Sequence, residues 1–165
     1  MKIHNVLVIG AGKIGQVVAD LLAGCGDYAV TLADRDAAAL DALAASALPA
    51  SRVQRLVLDV GNDAALKAAL AGRFAVLSAA PFHLTQRIAE VARATGVHYL
   101  DLTEDVASTR AIRALAEGAT SALIPQCGLA PGFISIVAAD LASRFDRLDS
   151  VRMRVGALPD RKSVV

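Results

Sequence analysis

The stretch Asn5-Val6-Leu7-Val8-Ile9-Gly10-Ala11-Gly12-Lys13-Ile14-Gly15 constrains this chain more than any other. Its apolar run predicts a buried strand, its glycines a tight turn, and the residues from Lys13 onward a helix. Gly10 lets the chain turn sharply off the strand. Gly12, lacking a Cβ, lets the backbone approach a pyrophosphate, and Gly15 lets the new helix pack closely on the strand. Free N–H groups at the helix start, with the positive end of its dipole, suit a phosphate charge. Asp34 follows about twenty residues on, where a carboxylate accepts from ribose hydroxyls. Gly10, Ala11, Gly12, Lys13, Ile14 and Gly15 are therefore the expected cradle of a dinucleotide.

The rest of the chain repeats the same alternation. Strands are expected near Asn5–Ile9, Ala29–Ala33, Val53–Leu58, Ala75–Ser78, Val97–Asp101 and Ala122–Ile124. Helices are expected near Lys13–Gly24, Asp36–Ala47, Asn62–Ala71, His83–Ala94, Val106–Glu117 and Gly132–Phe145. Such βαβ units, joined by right-handed crossovers, predict a three-layer, doubly wound α/β fold with a mostly parallel sheet of six or seven strands. Asp36 and Asn62 are expected helix caps, and Gly96 a helix stop. The seventh strand would run from Ser150 to Val155, where Val151, Met153 and Val155 alternate with Arg152 and Arg154 as in a half-exposed strand. On this reading residues 1–149 form the dinucleotide-binding domain and 150–159 begin a second, truncated domain. The last six, Asp160–Val165, resemble a non-native tail of the kind an adapter oligonucleotide encodes.

Composition narrows the class. Hydrophobic residues make up 55% and aromatics 4%, so the core is expected to be mostly Ala, Val, Leu and Ile. Small residues of this kind suit helices lying close on a parallel sheet. A net charge of +1 without basic or acidic runs gives no reason to expect a nucleic acid or a membrane surface. Cys25 and Cys127 offer neither zinc spacing nor a disulfide framework, and Met1 leads directly into a strand. The expectation is a cytoplasmic protein without a metal site.

Several strand ends carry candidate chemistry. Asp34 favours NAD by repelling a 2′-phosphate, although Arg35 beside it would pair with one; the cofactor is thus NAD or NADP, with NAD preferred. Asp59 and Val60 either meet the adenine or precede the cap at Asn62. Ala79, Ala80, Pro81 and Phe82 follow the fourth strand, where small residues would let the backbone pass close to the nicotinamide end. His83 is a proton-transfer candidate or an exposed helix-start residue. Asp101 is a candidate base or substrate-orienting carboxylate, while Glu104 and Asp105 fit helix capping.

Ala80-Pro81-Phe82-His83, Gly96-Val97-His98-Tyr99-Leu100-Asp101-Leu102 and Cys127-Gly128-Leu129-Ala130-Pro131-Gly132 resemble the N-terminal NAD(P)-binding domain of the saccharopine dehydrogenase family. Val155-Gly156-Ala157-Leu158-Pro159 resembles the start of that family's second domain. The resemblance implies a Rossmann domain and an oxidoreductase acting on a CH–NH group of an amino acid or polyamine derivative. It implies that Gly10, Gly12, Ile14, Asp34 and Arg35 bind cofactor, that Asp59, Val60 and Ala79–Phe82 line its two ends, and that Asp101 and the Gly128–Gly132 loop face a small amine substrate. It further implies a homodimer formed through the second domain, and little turnover without it. Two other classes stay open: a nucleotide-sensing regulatory module, and a scaffolding domain, against which the glycines and Asp34 weigh.

Overall fold

A computed structural model of the chain describes residues 2–42 and 53–156. They fall into two compact units, Met1–Gln126 and Cys127–Val165. The first holds β1 (His4–Ile9), α1 (Lys13–Cys25), β2 (Tyr28–Asp34), α2 (Ala37–Ala42), β3 (Val53–Val57), α3 (Asp63–Leu70), β4 (Ala75–Ser78), α4 (Phe82–Thr95), β5 (His98–Asp101), α5 (Val106–Ala116) and β6 (Leu123–Ile124). The strands form one sheet in the order β3-β2-β1-β4-β5-β6, all parallel. This is the doubly wound fold expected from the alternation.

Period-2 alternation along β1 sorts its side chains onto two faces. Val6 and Val8 join Ala19 and Ala23 of α1, with Val30, Leu32 and Leu40, in one core cluster. Leu7 and Ile9 join Leu66, Leu70, Ile88, Ala92 and Ile112, from α3, α4 and α5, in the other. Each fully buried Val, Leu or Ile side chain contributes about 1.5–3 kcal/mol. With both faces covered, the central strands read as continuous apolar runs.

Local capping chemistry sets the helix ends. Asp36 accepts from the Ala38 N–H at 2.9 Å, Asn62 from Ala65 at 3.1 Å, and Asp105 from Ser108 at 2.7 Å. Gly96 ends α4 in the left-handed conformation. The expected second helix runs on into residues outside those described, as does the tail 160–165.

The second unit contains α6 (Phe133–Ala142). It stops short of Phe145 because the Arg144 and Phe145 N–H groups bond three residues back, to Leu141 and Ala142, tightening the last turn. The strand expected at 150–155 is not formed: residues 151–155 carry no regular structure. Alternation supplies two faces, but a strand also needs a neighbour for its N–H and C=O groups, and no described residue pairs with these. The sheet therefore has six strands. Among the described residues no helix is long and apolar enough to cross a membrane.

Candidate dinucleotide site

All six strands point their carboxyl ends to one side. The chain order reverses between β1 and β4, and in open parallel sheets that switch point opens a crevice. The turn after β1 lies there. Gly10 has φ +106°, a conformation that side chains rarely adopt, and a Cβ on it would sit 2.7 Å from the Ala79 carbonyl oxygen. At Gly15 a Cβ would lie 1.8 Å from the Gly10 carbonyl oxygen. Gly15 thus lets α1 close on the turn itself, rather than on the strand as expected. Gly12 has neither reason to be glycine: its φ is −70°, and a Cβ there would meet nothing within 4 Å. The space over Gly12 is open, and no side chain caps α1. Those two features fit a phosphate-bearing ligand.

Asp34 ends β2. Its Oδ2 accepts from the Ala11 N–H at 2.7 Å and its Oδ1 from the Asp36 N–H at 2.9 Å. The carboxylate therefore pins the glycine turn to β2, a role its sequence position did not disclose. Each oxygen retains a lone pair for a ribose hydroxyl. Ala11 contributes structure rather than a free donor: its N–H is engaged and its methyl is buried in the core. Gln16 adds a second brace, donating to the Ala11 carbonyl at 2.7 Å. Lys13 and Ile14 are exposed at the start of α1.

Two clefts flank this turn. The first, about 330 Å³, brings together Gly10, Asp34, Arg35, Asp59, Val60 and His83. Asp59 is exposed and accepts from the Gly61 N–H at 2.8 Å, closing a small turn. Val60 borders the cleft, but its side chain belongs to the core. Arg87, which no motif marked, holds the loop from α4. Its Nε donates to the Val60 carbonyl at 2.8 Å, and one terminal nitrogen reaches the Gly61 carbonyl and Asp63, each at 2.7 Å.

The second cleft, about 230 Å³, is lined by Ile14, Ser78, Ala79, Ala80, Phe82 and Asp101, among others. His83 and Asp101, the two catalytic candidates, are not brought together. Successive residues of a helix point about 100° apart, so Phe82 faces one cleft while His83 faces the other. Asp101 is 1% exposed. Its Oδ2 accepts from the Tyr99 hydroxyl at 2.9 Å, and its Oδ1 from the Thr103 and Gln126 N–H groups, each at 3.0 Å. These bonds satisfy a buried charge and hold the chain after β5 and β6. Glu104 is exposed without a capping bond, and the cap falls to Asp105 alone. In the second unit, the Gly128–Gly132 loop is closed by the Phe133 N–H donating to the Gly128 carbonyl at 2.8 Å.

The family model of the saccharopine dehydrogenase NADP binding domain matches residues 6–124, well over half of the chain. The chain belongs to that family. The saccharopine dehydrogenase NADP-binding domain seen here is similar to the saccharopine dehydrogenase (L-Glu forming) of Saccharomyces cerevisiae. The two are 28% identical with a TM-score of 0.72, over 86% of this chain and 31% of the yeast chain. Two further solved structures share the fold. A putative myo-inositol dehydrogenase from Sinorhizobium meliloti 1021 is 21% identical, with a TM-score of 0.64, over 86% of this chain and 41% of its own. A Rossmann-fold NAD(P)-binding family protein from Shigella flexneri is 22% identical, with a TM-score of 0.58, over 74% of this chain and 66% of its own. The chain thus spans about a third of the length of the yeast enzyme it matches.

Proposed function

We propose that this domain binds a nicotinamide dinucleotide across the turn Gly10–Gly15, as the cofactor-binding part of an oxidoreductase acting on the CH–NH group of an amino acid or polyamine derivative. The observation that carries the reading is the space over Gly12. A residue free of every internal reason to be glycine is explained by a ligand that must come close to its backbone. The pyrophosphate lies over that residue, facing the uncapped start of α1. The adenosine lies in the first cleft. There Asp34 accepts from the ribose hydroxyls, Asp59 stands near the adenine, and Arg87 keeps the loop carrying Asp59 in place.

When bound, the nicotinamide accepts or supplies the hydride. The chain's own residues supply binding and orientation: Ala79, Ala80, Pro81 and Phe82 leave room at the end of β4 for the ring. Asp101, with its oxygens engaged by three donors, acts as a positioning residue that holds the ends of β5 and β6. NAD is preferred over NADP. A carboxylate held by two backbone N–H groups cannot swing away from a 2′-phosphate, whereas Arg35 is exposed beside it.

Fluorescence titration of the chain with NADH and NADPH tests the reading. Saturable binding of NADH, tighter than that of NADPH, is expected. Tighter binding of NADPH would reverse the preference, and binding of neither would remove the function. Turnover assays of an extended gene product that carries the second domain, with saccharopine, lysine and carboxynorspermidine, then address the substrate class.

A further inference from the structure

Beneath the second cleft lies a polar atom with nothing to bind. Ser78, the last residue of β4, is 3% exposed, and its Oγ has no hydrogen-bond partner among the described residues. The other side-chain polar groups around it are used. Thr85 donates to the Phe82 carbonyl. Both Asp101 oxygens accept bonds, and the Thr103 hydroxyl accepts from the Asp105 N–H at 3.1 Å. Ser78 is paired in register with Ile9 on β1 and Asp101 on β5, so it sits at the carboxyl edge of the sheet beside the switch point. A buried hydroxyl without a partner costs free energy unless a ligand or a water supplies one.

The walls around it are of another kind. Ile14 is 60% exposed and Phe82 59% exposed, and with Ala79, Ala80 and Leu102 they give the cleft apolar walls above a polar floor of Ser78, Thr85, Asp101 and Thr103. One partnerless hydroxyl among satisfied polar groups, facing apolar walls, suits a flat ring bearing a polar substituent. We infer that the Ser78 hydroxyl is the hydrogen-bond partner of the carboxamide on the nicotinamide ring, and that Ile14 and Phe82 flank that ring. The inference rests on the reading that the dinucleotide crosses the glycine turn from the first cleft to the second. A serine hydroxyl both donates and accepts, so it serves either end of the amide. The bond would fix the ring's rotation, and with it which ring face meets the substrate.

Calorimetry of the 165-residue chain with NADH and with ADP-ribose, which lacks the ring, tests this. Wild type is expected to bind NADH more tightly than ADP-ribose. Ser78→Ala should weaken NADH about two- to tenfold, the value of one net hydrogen bond. It should leave ADP-ribose affinity unchanged and the melting temperature unchanged or slightly raised, because the hydroxyl makes no internal bond to lose and its burial is unfavourable. Unchanged NADH affinity in the variant would overturn the inference, since the hydroxyl then serves a water. So would an equal loss for both ligands or a lowered melting temperature, either of which marks a structural role. If wild type binds neither ligand, the dinucleotide reading itself falls, a result distinct from any of these.

Discussion

Replacing Gly15 by alanine sets two effects of opposite sign against each other. Alanine is the better helix former, and inside a helix the exchange is worth about 0.5–1 kcal/mol in its favour. The structure supplies the counterweight. A Cβ at Gly15 would lie 1.8 Å from the Gly10 carbonyl oxygen, where ordinary contact begins at 3.4 Å. That oxygen belongs to backbone held in the turn by the Gly10 N–H, which donates to the Ala33 carbonyl at 2.8 Å. It cannot move aside as a side chain would. Overpacking costs about 1–3 kcal/mol and sometimes more, and a 1.8 Å approach to fixed backbone puts this case at the upper end, so after the gain in helix propensity Gly15→Ala should be destabilising by about 2 kcal/mol net. For a chain of this size that lowers the melting temperature by about 4–8 °C. Gly24 is the control: it lies in α1 with nothing within 4 Å of where a Cβ would sit, so Gly24→Ala should raise the melting temperature by about 1–4 °C. Gly12→Ala completes the series. It should leave stability within about 0.5 kcal/mol of wild type, yet abolish most dinucleotide affinity by filling the space over the turn. Differential scanning fluorimetry and calorimetry read all three. A Gly15→Ala variant as stable as Gly24→Ala would refute the steric argument, and a Gly12→Ala variant that binds NADH normally would refute the reading of the open space.

Other consequences are equally direct. Arg87→Ala removes bonds to the Val60 and Gly61 carbonyls and to Asp63. It should cost about 1–2 kcal/mol in urea unfolding and weaken ADP-ribose, while Asp63→Asn, which removes the exposed ion pair and one charge from the first turn of α3, should cost about 1 kcal/mol or less. Tyr99→Phe leaves the buried Asp101 carboxylate one donor short and should cost about 1–3 kcal/mol. The Ser108 backbone N–H holds the Asp105 carboxyl below the usual carboxylate range. Its contribution is therefore present above the unfolded-state pKa and is lost as pH falls through the folded one. Asp105→Asn should keep the cap but flatten stability across that acid window, whereas Asp105→Ala should lose the cap at neutral pH.

Most of the fold was legible because its signals are local. A strand is a run of apolar residues, a cap is one side chain bonded two or three residues on, and a glycine spacing marks a turn within six positions. Asp36, Asn62 and Gly96 could be placed from sequence for that reason, whereas for α5 the sequence narrows the cap only to the polar residues just before Val106. The strand expected at 150–155 failed for the complementary reason: pattern marks a candidate strand, but pairing makes one. Within the site, one cleft takes in Gly10, Asp34, Asp59 and His83 and the other Ile14, Phe82 and Asp101, while Ala11, Gly12, Lys13 and Gly15 line neither. Ala11 spends its N–H on Asp34, twenty-three residues away. His83 and Asp101, both at strand ends, open into different clefts.

What the amino-acid sequence determined alone was the list of elements, their caps and the presence of a glycine turn followed by an acidic strand end. Those depend on neighbours along the chain. Strand order decided the rest. Only because β4 lies between β1 and β5 does Gly10 meet Ala79, and only that register sets Ser78 beside Asp101. Whether a buried hydroxyl finds a partner depends on atoms that the chain brings together from distant positions, and no spacing in the sequence encodes it.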